Sequence, residues 1–122
     1  MIFTLLLVSI ASADPNPVNI QDCEPSDIFA LTGYQLDQNQ NGYVLITQGY
    51  FLVDQELDFI NVQYTTDDGN SWQNTQQQVD QFFQAYVIVN FQINLTELDD
   101  ITYIIIQLFD NGSPFWCYGT GV

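Results

Sequence analysis

Residues 59–72, FINVQYTTDDGNSW, decide the fold that we predict for this chain. Apolar and polar residues alternate along residues 60–65, and a period of two places the apolar set on one face of a β-strand. Residues 66–71 then end the strand, because Asp and Asn bond their own backbone and Gly adopts positive φ without a steric penalty. Trp72 follows this turn directly. A large aromatic beside a polar turn predicts a surface for a flat ligand.

Further strands are predicted on both sides of this stretch, because short runs of β-branched and aromatic residues are separated by turn formers. These runs occupy residues 28–36, 43–47, 50–53, 57–65, 85–95, 101–109 and 115–118. The sequence DNGSP at residues 110–114 is a strong hairpin signal. No convincing amphipathic helix is present. The pattern predicts an all-β fold, an immunoglobulin-like antiparallel β-sandwich of about seven to eight short strands.

The Gln-rich stretch at residues 73–84, QNTQQQVDQFFQ, does not follow the strand pattern. Its polarity predicts a long solvated loop between strands. Because Gln is a fair helix former, a short helix is the alternative.

Two of the predicted strands, residues 85–91 and 101–109, are apolar on both faces. A strand in a lone soluble sandwich normally has one face in water. Two interpretations of the second apolar face stay open. Loops or the N-terminal arm cover it, or another subunit does.

The first 25 residues are predicted to lie outside the sandwich. In residues 1–13 an apolar run ends in the sequence Ala-Ser-Ala, which predicts a cleaved signal peptide and a secreted, extracellular protein. The alternative is a hydrophobic segment kept in the mature protein. Residues 14–25 contain three of the four prolines and are predicted to form an extended N-terminal arm. Residues 26–122 then form a single domain.

The charge of the chain restricts its functions. The chain has 0 Lys and Arg, 0 His and 15 Asp and Glu, for a formal net charge of −15. A nucleic-acid partner is excluded because no cation releases counterions from phosphate, and an anionic membrane surface is disfavoured for the same reason. Nucleophilic catalysis needs a base such as His or Lys, and the chain has neither. Glycoside hydrolysis needs a pair of carboxylates, and no sequence feature identifies such a pair. We therefore predict that the protein is not an enzyme.

Cysteines and sequons fit an exported protein. Cys23 and Cys117 are predicted to form a disulfide in an oxidising compartment, with a pair of free buried thiols as the alternative. Two Cys without His do not predict a zinc site. Asn94 and Asn111 lie in N-x-S/T sequons and are candidate glycosylation sites in a secretory host.

Two motifs in order resemble family 21 carbohydrate-binding modules, which include starch- and glycogen-binding modules and the glycogen-targeting subunits of protein phosphatase 1. INVQYTTD at residues 60–67, with Trp72 soon after, resembles the family's V-x-V-R-Y-T-x-D-x-W strand and turn. Residues 101–109 and NGSPFW at 111–116 resemble its later strand pair. The similarity covers residues 42–116. The resemblance implies an immunoglobulin-like β-sandwich that binds α-glucans through exposed aromatics.

Sugar binding requires an aromatic face against the C–H face of a pyranose, with amides and carboxylates that reach the hydroxyls. The side chains that meet this description are Trp72, Asp67, Asp68, Asn70 and Asn74 near the turn, and Asn111 and Trp116 on the later hairpin. For either Trp the alternative is packing within the sandwich. Residues 67–70 are also a candidate Ca²⁺ ligand set, for which an ordinary turn is the alternative.

Two function hypotheses follow from these observations. The first is a secreted, non-catalytic carbohydrate-binding module for a starch- or glycogen-like polysaccharide or oligosaccharide. The second is a structural subunit that self-associates into an extracellular filament, sheath or coat built from the same sandwich. The two-faced apolar strands, the abundant Asn and Gln, and an arm able to add a strand to a neighbour support the second. The sequence leaves the two hypotheses equal.

Overall fold

A computed structural model describes residues 26–122 of the chain. These residues contain no helix and form seven strands: β1 (Phe29–Asn39), β2 (Gly42–Phe51), β3 (Gln55–Thr65), β4 (Gln73–Phe83), β5 (Val89–Leu95), β6 (Tyr103–Asp110) and β7 (Ser113–Gly121). Neighbouring strands are all antiparallel. They form a three-stranded sheet, β1-β2-β5, and a four-stranded sheet, β4-β3-β6-β7. The predicted immunoglobulin-like β-sandwich is confirmed.

The core lies between the two sheets and contains one side chain from every second position of the central strands. Phe51, at the end of β2, is fully buried. Its ring centroid lies 4.9 Å from that of Phe29 and 5.2 Å from that of Phe83, so it joins both sheets. Burying a side chain of this size stabilises the fold by about 1.5–3 kcal/mol. Aromatic contacts therefore hold this end of the sandwich together.

The hairpin between β6 and β7 forms where the turn sequence predicted it. Asn111 and Gly112 both have positive φ, 53° and 77°, as a two-residue type I′ turn requires. The Asn111 backbone N–H donates a 2.8 Å hydrogen bond to Oδ2 of Asp58, which ties the turn to β3.

The prediction of a loop or short helix at residues 73–84 is wrong, because these residues form strand β4. They pair with β3 from Gln73 opposite Tyr64 to Phe83 opposite Gln55. β4 is an edge strand, so its Gln side chains stay largely in water while Val79 and Phe83 pack against the core. Backbone pairing with β3 therefore overrides the low strand propensity of Gln.

Two strand boundaries also differ from the prediction. β2 runs without a break through Gly49, and the irregularity lies opposite it in β1, between Leu31 and Gly33. Residues 85–88 were expected in a strand, but β5 begins only at Val89. The reason is topological, because this segment crosses from the four-stranded sheet to the three-stranded sheet.

The four-stranded sheet is buried on both faces, as the two-faced apolar pattern of β6 indicates. Register places a second set of side chains on the face away from the core, which we call the outer face: Asn61, Gln63, Ile105, Gln107, Phe109 and Cys117. Asn61 and Gln63 are 1% exposed and Gln107 is 0% exposed. The polar residues of β3 are therefore buried on this face. Every described strand belongs to one of the two sheets, so none lies on this face.

Three predictions concern residues outside the described range: the signal peptide, the arm at residues 14–25, and the Cys23 end of the disulfide. They stay predictions. Cys117 lies in β7 and is buried. Within residues 26–122 there is no helix with the length and apolar character needed to cross a bilayer.

Candidate functional site

Asp67 organises the turn that the sequence singled out. Its Oδ1 accepts hydrogen bonds from Thr65 Oγ1 at 2.7 Å and from the Ser71 backbone N–H at 2.9 Å. Its Oδ2 accepts a 2.7 Å bond from Ser71 Oγ. The amide of Asn70 donates a 3.0 Å bond to the Asp67 carbonyl. Asp67 and Asn70, two of the predicted sugar-binding side chains, therefore use polar atoms in hydrogen bonds within the turn.

These bonds make the turn sensitive to acid. The Ser71 hydroxyl first, and then Thr65, lower the pKa of Asp67 from 3.8 to about 2. A depressed folded-state pKa contributes stability above the unfolded value and loses it as pH falls from about 4 to about 2. We expect Asp67→Asn to remove this pH dependence, measured by urea unfolding at a series of pH values across that window. Asp68→Asn, which removes a charge from the same turn, is the matched control. Equal pH slopes for both variants would contradict the assignment.

Trp72 is half-buried beside this turn rather than free on the surface. Its ring packs edge-to-face on Tyr103, with centroids 6.2 Å apart and planes at 81°. Asn74 Oδ1 accepts a 3.0 Å hydrogen bond from Asn61. Asp68 has positive φ and an exposed side chain. The structure thus brings Asp67, Asp68, Asn70 and Trp72 together in one loop, but it leaves few polar atoms there for a ligand.

The second predicted pair, Asn111 and Trp116, does not form a common surface with that loop. Trp72 lies beside the start of β6, whereas Asn111 follows the end of β6, at the opposite end of the sheet. Trp116 is 3% exposed and packs edge-to-face on Phe29 at 5.1 Å. Trp116 therefore does not expose a ring face on which a sugar could stack.

The part of the chain that the structure describes does not bring together the side chains that a calcium site needs. Residues 26–122 contain no cluster of three or more Asp, Glu, Cys or His side chains placed to hold a metal ion. Both carboxylate oxygens of Asp67 accept hydrogen bonds from the turn. The bonds within residues 67–71 are those of an ordinary Asx-type turn.

A cleft between β1 and β7 is a site that sequence reasoning missed. Its volume is about 390 Å³, and we call it the aromatic cleft because its lining residues are Phe29, Leu31, Thr32, Gly33, Tyr34, Trp116 and Tyr118. Trp116 and Tyr118 stack with centroids 6.3 Å apart and planes at 15°. The Tyr34 ring lies 6.2 Å from Tyr118, and its hydroxyl is 3.4 Å from Thr120 Oγ1. Rings from both sheets therefore meet at this opening.

Trp116, one of the residues that line the aromatic cleft, carries an unused hydrogen-bond donor. Its indole Nε1 is buried and has no hydrogen-bond partner. Leaving such a donor unpaired costs about 1–3 kcal/mol. Because this atom is inaccessible, a ligand oxygen would reach it only after neighbouring side chains of the cleft move aside.

A second cleft, of about 420 Å³, opens on the other side of the sandwich between β4 and β5. Amide side chains dominate its lining, which is formed by Gln77, Gln78, Val79, Gln81, Phe83, Val89, Asn90, Phe91 and Gln92. It has a mixed amide and apolar character, but none of its buried polar atoms lacks a partner. We therefore rank it below the aromatic cleft as a binding site.

Buried amides form a network on the outer face, which we call the amide ladder. The Asn61 side chain donates to Gln107 Oε1 at 2.6 Å and to Asn74 Oδ1 at 3.0 Å. Gln63 Nε2 donates to the same Gln107 oxygen at 3.2 Å. Asn61 Oδ1 and Gln107 Nε2 remain buried without a partner. The ladder therefore presents one free acceptor and one free donor on a face that no described strand covers.

Comparison with known proteins returned no relative: no family model, no curated protein and no solved structure matches this chain.

Proposed function

We propose that the chain is a secreted, non-catalytic carbohydrate-binding module that holds a starch- or glycogen-like glucan in the aromatic cleft. The observation that carries this proposal is the cleft lined by Phe29, Tyr34 and Tyr118 together with Trp116, whose buried Nε1 has no partner. Aromatic rings pack on the C–H face of a pyranose, while a placed donor selects its oxygens. The volume also lies within the range of about 300–1,000 Å³ that ligand pockets occupy.

The charge of the protein supports a neutral ligand. With a net charge of −15, the chain repels anions, whereas an uncharged glucan approaches without that penalty. The resemblance to family 21 modules supports the same ligand class. The resemblance implies a site near Trp72. However, Asp67 and Asn70 beside it already bond within their own turn, so we favour the aromatic cleft as the site.

Co-sedimentation with insoluble starch tests both the ligand and the site. We expect wild-type protein to sediment with starch and to be released by soluble maltooligosaccharide. Tyr34→Ala should weaken binding about tenfold, which is about 1.4 kcal/mol, because the ligand loses one aromatic wall. Trp116→Phe should also weaken binding while keeping a ring in the core. Tyr86→Ala removes an exposed Tyr outside the cleft and is the matched control.

The outcomes separate the two candidate sites. If Trp72→Ala abolishes binding and Tyr34→Ala does not, the glucan binds at the turn and the cleft assignment is wrong. A wild-type protein that stays in the supernatant overturns the glucan proposal as a whole.

A structural subunit is the second candidate, and an exposed apolar patch favours it. Its residues are Tyr86, Val87 and Ile88 in the β4–β5 connection, Phe82 near the end of β4 and Val53 in the β2–β3 turn, and all five are exposed. Two hydrogen bonds hold this connection in place. The Ala85 backbone N–H donates to Asp54 Oδ1 at 2.9 Å, and the Tyr86 backbone N–H donates to the Phe51 carbonyl at 2.8 Å. Contiguous apolar patches on small proteins commonly mark association surfaces.

Assembly through this patch should depend on charge neutralisation. We expect calcium, or a pH below about 4, to increase particle size because either one reduces repulsion between carboxylates. Ile88→Asp should block that increase, whereas Leu98→Asp, at an equally exposed position away from the patch, should not. Dynamic light scattering with and without EDTA measures the effect. A particle size that does not change with pH, calcium or EDTA would count against a structural role.

A further inference from the structure

We propose that the glucan in the aromatic cleft continues across β1 into a neighbouring pocket on the three-stranded sheet, so that the protein binds several consecutive sugar units; this inference rests on the proposed function. We call the neighbouring cavity the β2 pocket. Its volume is about 250 Å³, and it is lined by Gly33, Tyr34, Gln35, Ile46, Gln48 and Asn90. Ligand pockets usually begin at about 300 Å³. The β2 pocket therefore suits the extension of a site better than a separate site.

The aromatic cleft and the β2 pocket share part of their lining. Gly33 and Tyr34 of β1 belong to both. Gly33 is exposed, and nothing lies within 4 Å of a Cβ built there. No side chain therefore separates the two pockets at this position, and a chain-like ligand can occupy both at once.

Strand register places the β2 pocket on the face of the three-stranded sheet that points away from the core. Gly33 pairs with Gln48, and Gln48 pairs with Asn90, so these residues form one row across β1, β2 and β5. Thr47, the neighbour of Gln48, points to the opposite face and is 3% exposed. Three strands span about 10 Å, so the row leads from the edge of the aromatic cleft across the whole sheet.

The β2 pocket offers the groups that a further sugar unit needs. Gln48 and Asn90 are exposed, and within residues 26–122 no hydrogen bond occupies their side-chain amides. Each amide carries both donors and an acceptor, which match the hydroxyl groups of a sugar. The half-buried Ile46 adds an apolar surface between them. Apolar surface with a few placed polar groups is typical of ligand sites.

The charge of this sheet favours a neutral occupant. Strands β1, β2 and β5 contain one acidic residue, Asp37, although the chain has 15. A basic peptide would gain more from the carboxylates in the rest of the protein than from this face. An uncharged glucan has no such preference, and its position is set by the aromatic cleft.

Calorimetric titration of the full chain with maltose and with maltohexaose tests this extension. We expect wild-type protein to bind maltohexaose more tightly than maltose. Gln48→Ala with Asn90→Ala should lower the affinity for maltohexaose about tenfold, because hydrogen bonds to the further sugar units are lost, and should leave the affinity for maltose unchanged. A long oligosaccharide also binds in more registers than a short one. Wild type and variant share that gain, so their comparison removes it.

Gln76→Ala with Gln84→Ala is the matched control, because it removes two exposed amides that line neither pocket. It should bind both sugars as wild type does. If the Gln48→Ala, Asn90→Ala variant keeps wild-type affinity for maltohexaose, the extension is wrong and the aromatic cleft is the whole site. Equal losses for the two sugars would also overturn the extension, since the short sugar would then contact the same amides. If wild type binds neither sugar, the proposed function fails and the extension fails with it.

A second variant closes the passage between the pockets. Gly33→Leu places a side chain in the open space above β1, at an exposed position where it meets no neighbour within 4 Å of its Cβ. Maltohexaose should then lose most of its advantage over maltose. Circular dichroism checks that the sandwich stays folded. An undiminished advantage of maltohexaose would contradict a path across Gly33.

Discussion

Gly49→Ala should lower the melting temperature of the protein by roughly 4–24 °C, because each kcal/mol lost lowers it by about 4–8 °C in a domain of this size. Gly49 is buried in β2, the central strand of the three-stranded sheet. A Cβ at this position would collide with the Ala30 carbonyl oxygen and with the Phe29 ring. Backbone of β1 and core of the sandwich would both have to move, and overpacking of this kind costs about 1–3 kcal/mol or more.

Gly33→Ala is the matched control for that substitution. Gly33 lies in the neighbouring strand β1 and is exposed, and nothing lies within 4 Å of a Cβ built there. The change should therefore alter stability by less than about 0.5 kcal/mol, or stabilise slightly through the unfolded chain. Thermal unfolding followed by circular dichroism compares the two. Similar melting temperatures would show that β1 moves away from Gly49 more easily than the packing indicates.

The strands that could be predicted are those that local sequence determines. Alternation at residues 60–65 predicted β3, and the Asn111-Gly112 pair predicted the β6–β7 hairpin because its two residues tolerate positive φ. Both rules depend on a few adjacent residues. For the same reason the turn around Asp67 could be located from the sequence, since its partners Thr65 and Ser71 are close in the chain.

Strand β4 could not be predicted, because its partner decides its conformation. Gln is a weak strand former, and residues 73–83 contain five of them. β3 nevertheless pairs with this edge strand on one side and with β6 on the other. Alternation also separated Asn61 and Gln63 from the apolar face, but it gave no sign that both are buried in the amide ladder. Sequence periodicity identifies the two faces of a strand, but it does not say what covers them.

The aromatic cleft lies beyond sequence reasoning for a related reason. Tyr34 and Tyr118 are far apart in the chain, and they meet only because β1 and β7 are edge strands of different sheets. The aromatics that looked most like ligand contacts were those next to turns, Trp72 and Trp116. Of these, Trp116 lines the cleft but is almost completely buried, and its Nε1 has no hydrogen-bond partner.

Phe51→Ala should destabilise the protein by about 3–5 kcal/mol, because it removes a fully buried ring and leaves a cavity. That loss corresponds to a fall in melting temperature of roughly 12–40 °C. Phe82→Ala is the matched control, since that ring is largely exposed, and it should change stability by less than about 0.5 kcal/mol. Urea unfolding measures both values.

The effect of Phe51→Ala should also reach the aromatic cleft. The Phe51 ring contacts Phe29, and Phe29 in turn packs on Trp116, with centroids 4.9 and 5.1 Å apart. A cavity at Phe51 allows Phe29 to shift and so removes one support of the cleft. We therefore expect the folded fraction of Phe51→Ala to bind starch more weakly than wild type, whereas Phe82→Ala binds normally. Unchanged binding per folded molecule would mean that Trp116 and Tyr118 hold the cleft without support from the core.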